Sequence, residues 1–307
     1  MKFCGISVKS KFFLAPMAEV SNLPFRLLCR KHGAGLVFTE QIPAMQLMKR
    51  KKEEIEAMKT SKEERPCAVQ LFGNNAGHFA EAAKMCNDFS MININCGCPN
   101  HSITSHGAGS ALLKEPKKIA EIITAVKQVT KKPVSVKIRL GWKKDEPLKI
   151  ARAAEAAGAD AVIIHARTAV QGYGGKAEWK SIGKVSGKLS VPVVANGDII
   201  SPESAEECLK LSGAEFAMIG RAAMANPFIF KEIDSYFKGK NRHASDGDKL
   251  ALFMEYKKLC EKTGILSLND LRQKAMYFIT GLRGARVMRG RLSTAKNLEQ
   301  VEEVLFH

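Results

Sequence analysis

The residues Ile94-Asn95-Cys96-Gly97-Cys98-Pro99-Asn100-His101-Ser102-Ile103 follow an apolar run and precede Gly107-Ala108-Gly109-Ser110. A cysteine is thereby set at the end of a strand candidate, among glycines and a proline. A thiol on such a turn can lie close to a bound planar ligand, because glycine removes side-chain bulk and permits backbone angles that other residues avoid. Cys98 is therefore the first candidate for a catalytic group. The competing reading makes Cys96 and Cys98 small apolar core residues, as free cysteine commonly is.

Other groups with chemical capacity recur where apolar runs end. Pro16-Met17-Ala18, Gln70, Asn95 with Cys98, Lys137 with Arg139, His165 with Arg167, Asn196-Gly197-Asp198 and Gly220-Arg221 each follow or close such a run. Asn196-Gly197-Asp198 and Ile219-Gly220-Arg221-Ala222 combine glycines with an arginine at a helix start, a setting that suits the phosphate of a mononucleotide cofactor. Lys137 would carry a buried charge, and desolvating an unpaired ammonium costs several kcal/mol. A reduced flavin ring, negative over N1 and O2, would answer that charge. So would a carboxylate such as Glu40.

These groups need a scaffold that brings strand ends together. Strand candidates at 11–15, 35–39, 67–72, 91–95, 133–138, 161–165, 191–195 and 216–219 alternate with helical patterns at 23–31, 76–87, 117–130, 148–157, 202–211 and 227–237. Eight β/α units at this length predict a TIM (β/α)8 barrel, an α/β fold whose chemistry gathers at the C-terminal ends of its strands. A doubly wound open sheet is the alternative, although no GxGxxG follows the first strand. After the polar hinge 238–241 the pattern is helical only, at 249–263, 268–281 and 294–306. The chain is read as a catalytic domain over 1–240 and a small helical domain over 241–307. The run 49–65, mixing Lys and Arg with Glu pairs, reads as a solvated helix.

Of the 307 residues, 45% are hydrophobic and 26% charged, ordinary values for a globular protein, and no window reaches the ~18 apolar residues of a membrane span. The N-terminus shows no secretory h-region, which predicts a cytoplasmic protein. Eight dispersed cysteines without a CxxC give neither a disulfide framework nor a metal pattern. The formal net charge of +17, from 48 basic and 31 acidic residues, points to an anionic partner. From Arg272 to Leu298 the basic residues Arg272, Lys274, Arg283, Arg286, Arg289, Arg291 and Lys296 meet no acidic residue in sequence. Such a one-signed stretch reads as a phosphate-tracking surface, with Arg272, Arg283, Arg286 and Arg289 as its candidate contacts.

The ordered segments Leu14-Ala15-Pro16-Met17-Ala18-Glu19-Val20-Ser21-Asn22-Leu23-Pro24-Phe25-Arg26, Gln70-Leu71-Phe72-Gly73, Asn95-Cys96-Gly97-Cys98-Pro99, Val136-Lys137-Ile138-Arg139, His165-Ala166-Arg167-Thr168, Asn196-Gly197-Asp198 and Ile219-Gly220-Arg221-Ala222 resemble the tRNA-dihydrouridine synthases. The resemblance implies an FMN-dependent oxidoreductase that is reduced by NADPH and then reduces the C5–C6 double bond of a uridine in tRNA. It implies FMN contacts from Pro16, Met17, Ala18, Gln70, Lys137, His165, Asn196, Gly197, Asp198, Gly220 and Arg221. It also implies that Cys98 is the general acid and that Asn95 and Arg139 hold the uracil edge. A thiol of ordinary acidity, near 8.5, stays protonated at neutral pH and suits that role. The chain departs from the family pattern at Glu19, where glycine is common, at Asn22, where aspartate is usual, and over 100–106, which lacks the common lysines. A barrel reductase of free pyrimidines and a non-catalytic tRNA-binding protein are the rival readings. The basic helical tail argues against the first, and retention of Cys98 and Lys137 against the second.

Overall fold

The computed structural model describes residues 1–240 and 242–306; Asn241, part of the hinge read at 238–241, and His307 lie outside the described residues. Two short strands, β1 (Lys2–Phe3) and β2 (Ile6–Ser7), pair antiparallel ahead of eight parallel strands. These are β3 (Phe12–Leu14), β4 (Val37–Pro43), β5 (Cys67–Phe72), β6 (Met91–Cys96), β7 (Val134–Arg139), β8 (Ala161–His165), β9 (Val193–Asn196) and β10 (Phe216–Ile219). They run in the order β3-β10-β9-β8-β7-β6-β5-β4. Between β3 and the chain entering β4, Gly35 N–H donates to Phe12 O at 2.7 Å and Leu14 N–H to Leu36 O at 2.9 Å, which closes the ring. The fold is a TIM barrel, and the open-sheet alternative falls with that closure.

Parallel strands covered on both faces read as continuous apolar runs, and β8, Ala161-Val162-Ile163-Ile164-His165, is buried throughout. Side chains still alternate with a period of two. Val162 and Ile164 join the layer between strands and outer helices, while Ala161 and Ile163 face the barrel interior. The same phase puts Met91, Asn93 and Asn95 of β6 and Ser135, Lys137 and Arg139 of β7 inside. Interior residues therefore grade from an apolar bottom to a charged top, because each strand carries its polar positions near its C-terminal end. The apolar bottom is sealed by Phe3 of β1, whose ring lies 5.0 Å from those of both Phe13 and Phe216. Two-residue strands leave no periodic signature, and the sequence reading missed them.

The run 49–65 is not one solvated helix. It holds the helix Lys52–Ala57 and a 3-10 turn at Lys62–Glu64, separated from the helix Ala44–Met48 by Arg50 at φ +54°. Glu64 is fully buried and accepts Arg26 Nε at 2.6 Å, a buried ion pair that ties this excursion to the helix Leu23–Lys31.

After residue 242 the described chain is helical: Asp246–Thr263, Leu268–Phe278, Ala285–Thr294 and Leu298–Phe306. Ala285–Thr294 corrects the expectation of three helices; its sequence, ARVMRGRLST, is polar with a mid-helix glycine and shows little apolar period. Helix Asp246–Thr263 packs on the barrel helix Leu23–Lys31, and Leu268–Phe278 packs on the short helix Arg221–Ala225 that follows β10. The helical region thus stands beside the ends of β3 and β10, against the barrel mouth. No helix among the described residues is long and apolar enough to cross a membrane.

Candidate active site

A cavity of about 1180 Å³ opens at the C-terminal ends of the strands. Of the barrel residues singled out from the sequence, Pro16, Met17, Ala18, Gln70, Asn95, Cys98, Lys137, Arg139, His165, Asn196, Gly197, Asp198, Gly220 and Arg221 line it, whereas Cys96 and Arg167 are buried outside its lining. Lys249, Gln273, Tyr277 and Thr280 of the helical region complete one wall. No short motif announced these last four; Lys249 comes from helix Asp246–Thr263, Gln273 and Tyr277 from helix Leu268–Phe278, and Thr280 from just past its end.

The two cysteines of the opening motif separate cleanly. Cys96 is fully buried, and burial pushes its thiol pKa up. Cys98 is half-buried and lines the cavity. Its loop is held at several points. Asn95 Oδ1 accepts the N–H of Gly97 and of Cys98, each at 3.0 Å. Arg139 Nε donates to Gly97 O at 2.8 Å, and Ser110 N–H donates to Cys98 O at 2.9 Å. Gly109, at φ +58°, lets that second chain approach: a Cβ there would sit 2.7 Å from Cys98 O.

Asn95, expected at a uracil edge, lines the cavity with its amide already bonded within the protein. Its Nδ2 donates to Gln41 Oε1 at 2.8 Å and Gln70 Oε1 at 3.2 Å, so the whole amide is engaged inside the protein. Gln70 Nε2 in turn donates to Asn93 Oδ1, and Asn93 Nδ2 to Ser135 Oγ. This chain of amides beneath the cavity fixes which way Asn95 faces, and through it the Cys98 loop. Gln41 escaped the sequence reading because the strand candidate ended at residue 39; β4 continues past a bulge at Phe38/Gln41.

Positive groups crowd the floor. Lys137 makes no hydrogen bond or ion pair among the described residues, and burial together with Arg139 pulls its pKa down to about 7, Cys98 acting in the opposite sense. The Glu40 carboxylate, the alternative partner, instead accepts Glu19 N–H at 2.7 Å. Burial, then Lys137, Arg139, Arg167 and Arg221, hold His165 well below the ordinary imidazole range. It is neutral, and its buried Nδ1 has no partner among the described residues. Arg139 also donates to Thr168 O and Gly172 O, and its guanidinium lies 5.4 Å from the exposed Tyr173 ring, which Arg221 approaches to 5.3 Å. No motif marks Tyr173, which sits in an aperiodic glycine-rich loop.

The Asn196-Gly197-Asp198 turn holds the far side. Gly197 has φ +120°, and a Cβ there would meet Ala177 Cβ at 3.1 Å and His165 Nε2 at 3.3 Å, so only glycine leaves the edge of the imidazole open. Asp198 accepts Arg167 Nη1 and Nη2 at 2.9 and 2.6 Å, Arg221 Nη2 at 2.8 Å and Ala177 N–H at 2.9 Å. Partial burial opposes its charge, yet these donors keep its pKa below the usual carboxylate value. Arg167, almost fully buried, is the anchor; Arg221 is exposed and free to turn toward an anion while Arg167 keeps Asp198 satisfied.

The basic stretch divides. Arg283, Arg286 and Arg289 are exposed. Arg272 donates to Ser293 O at 2.9 Å and Ala295 O at 3.3 Å, closing the C-terminal end of helix Ala285–Thr294. Lys274 is fully buried, bonded to Asp270 Oδ1 at 2.8 Å and Glu19 O at 3.2 Å. Arg291 finds an acidic neighbour, Glu303, across the helices.

A family model described as dihydrouridine synthase matches residues 13–306. The chain is 39% identical over 237 residues to tRNA-dihydrouridine synthase B of Pseudomonas aeruginosa, covering 76% of this chain and 71% of that protein. It is 35% identical over 302 residues to tRNA-dihydrouridine synthase B of Pseudomonas syringae pv. tomato, covering 95% and 89%. With the probable tRNA-dihydrouridine synthase 1 of a Synechocystis strain the identity is 32% over 309 residues, covering 98% and 87%. Among solved structures, a 2-naphthoyl-CoA reductase complex superposes with a TM-score of 0.60 at 12% identity, over 78% of this chain and 52% of that one, a likeness of fold alone. With its thiol loop, its cationic barrel mouth and a family match spanning nearly its whole length, the chain belongs to the dihydrouridine synthase family of oxidoreductases.

Proposed function

We propose that this protein reduces the C5–C6 double bond of a uridine in tRNA to dihydrouridine, with FMN bound in the barrel mouth and NADPH as the reductant. The observation that carries the reading is the cavity floor: a lysine with no protein acceptor, beside a neutral histidine whose buried Nδ1 is unpartnered, under a half-buried thiol. A planar, hydrogen-bonding ligand able to take negative charge answers all three. FMN would fit them: Pro16, Met17, Ala18, Gln70, Lys137 and His165 would hold its ring system, and Asn196, Gly197, Asp198, Gly220 and Arg221 would hold its phosphate. Bound there, FMN supplies a hydride for C6 of the base, and NADPH restores it.

The protein's own part is proton and charge management. Asn95 and the backbone of Ser110 hold the Cys98 thiol at the cavity wall, where it gives its proton to C5 as negative charge develops on the base. The thiolate left behind lies within electrostatic reach of Lys137 and Arg139, which stabilise it until a proton returns. A uridine stacked in folded tRNA reaches this depth only when turned out, at a cost of a few kcal/mol. Phosphate contacts from Arg283, Arg286 and Arg289 offset that cost.

In this reading residues 1–240 form the catalytic unit and 241–307 the tRNA-holding unit, working in the cytoplasm where tRNA is found. The protein as purified should carry flavin absorbance that NADPH bleaches and unmodified tRNA restores. Restoration by free uracil or orotate at comparable rates would instead favour a reductase of free pyrimidines.

A further inference from the structure

Lys274 belongs by sequence to the basic stretch, yet it is fully buried at the junction between the helical region and the barrel. Its ammonium lies over the rings of Phe25 and Tyr256, at 5.7 and 5.5 Å. Asp270, one helical turn earlier, balances its charge and also accepts Tyr256 Oη at 2.5 Å and Asn22 Nδ2 at 3.1 Å. The remaining contact crosses to the barrel: Lys274 Nζ donates to Glu19 O at 3.2 Å.

Glu19 is an unusual residue to receive that bond. It has φ +60°, a left-handed conformation that disfavours a side chain by roughly 5- to 30-fold relative to glycine. Its side chain is exposed and makes no hydrogen bond or ion pair among the described residues that would enforce this. The peptide groups do so instead. Glu40 takes the Glu19 N–H at 2.7 Å, and Lys274 holds its carbonyl. The same short turn carries Met17 and Ala18 into the cavity, with Ser21 Oγ accepting Met17 N–H at 3.0 Å and donating to Met17 O at 3.1 Å.

We propose that Lys274 is a positioning residue: by gripping the strained Glu19 peptide it sets the 16–21 turn against the cofactor and ties that setting to the seat of the helical region. The inference rests on the functional reading above for the identity of the cofactor, but not for the turn itself.

The test measures amide hydrogen exchange over residues 17–21 in flavin-free protein, and the FMN dissociation constant, for the parent, Lys274→Met, Lys274→Arg, Glu19→Gly and the Lys274→Met, Glu19→Gly double variant. Lys274→Met should speed exchange of this turn about tenfold and weaken FMN binding by a similar factor, while the exposed Arg283, Arg286 and Arg289 keep tRNA affinity within about twofold. Lys274→Arg should restore both. Glycine needs no grip at φ +60°, so the Lys274→Met effect should shrink to less than about threefold in the Glu19→Gly background. An effect of the same size in both backgrounds overturns the proposal, as does unchanged exchange in Lys274→Met. If Lys274→Met does not fold, faster exchange of the turn confined to it is read in Asp270→Asn, which weakens the charge pair and leaves Lys274 in place; no change there overturns the proposal. A parent that shows the exchange pattern yet binds no FMN refutes the cofactor reading and leaves the coupling of the turn standing.

Discussion

Replacing Lys137 with methionine should separate what the barrel tolerates from what its chemistry requires. In the flavin-free protein the ammonium has no partner among the described residues and its pKa falls from 10.5 to about 7. Between these values the unfolded chain binds the proton more tightly than the folded one, so stability rises with pH from about 7 to 10.5, and the full penalty of the buried charge applies below 7. At about 1.4 kcal/mol per tenfold the difference corresponds to roughly 5 kcal/mol as an upper bound; side-chain relaxation and water reaching the open cavity reduce the expected gain to about 1–2 kcal/mol. Flavin-free Lys137→Met should therefore resist urea better than the parent at pH 6, with the advantage fading by pH 10. In the proposed FMN holoenzyme the sign reverses. Losing a charge-assisted contact to a reduced, anionic ring costs roughly 1.5–3 kcal/mol, which lowers the two-electron midpoint by roughly 30–65 mV. Urea titration at two pH values and potentiometry of the bound flavin measure both arms. A variant less stable than the parent at pH 6, or one with an unchanged midpoint, would refute the account of the cavity floor.

Cys98→Ala should retain FMN and lose roughly 10²–10⁴-fold in the rate at which tRNA oxidises the reduced enzyme, while Cys96→Ala, a core change, leaves that rate near the parent's. Arg221→Ala should weaken FMN retention, read by fluorescence release, without unfolding the loop, because Arg167 still satisfies Asp198. The triple replacement of Arg283, Arg286 and Arg289 by alanine should raise the Kd for tRNA and flatten its log–log salt slope by up to ~3, with NADPH oxidation by a small acceptor unchanged. Arg272→Ala should leave that slope alone and cost about 1–2 kcal/mol of stability in thermal melts, since its donors close a helix end.

How much of this was legible in the sequence depended on whether residues spoke through local pattern. Strands 67–72, 161–165 and 216–219 coincide with β5, β8 and β10 because a parallel strand buried on both faces is an unbroken apolar run between turn signals. The placement of polar residues at strand ends carried the convergence of Lys137, His165 and Arg221 for the same reason. Helix Ala285–Thr294 escaped because its stability comes from packing on neighbouring helices and from Arg272 at its end, not from an apolar stripe. The engagement of Asn95, the burial of Lys274 and the ion pair of Arg26 with Glu64 were equally silent. Each depends on partners tens to hundreds of positions away, and a charged residue reads alike in sequence whether it meets water or a buried carboxylate.

The proposed reaction delivers electrons to a base within a folded RNA. Holoenzyme reduced with one equivalent of NADPH, freed of excess reductant and mixed without oxygen with tRNA lacking dihydrouridine, should be reoxidised in a single turnover. Dihydrouridine should then appear at a defined position in proportion to the flavin oxidised. The same tRNA already carrying dihydrouridine should leave the flavin reduced. Flavin that stays reduced with unmodified tRNA, or is reoxidised without dihydrouridine forming, would contradict the account.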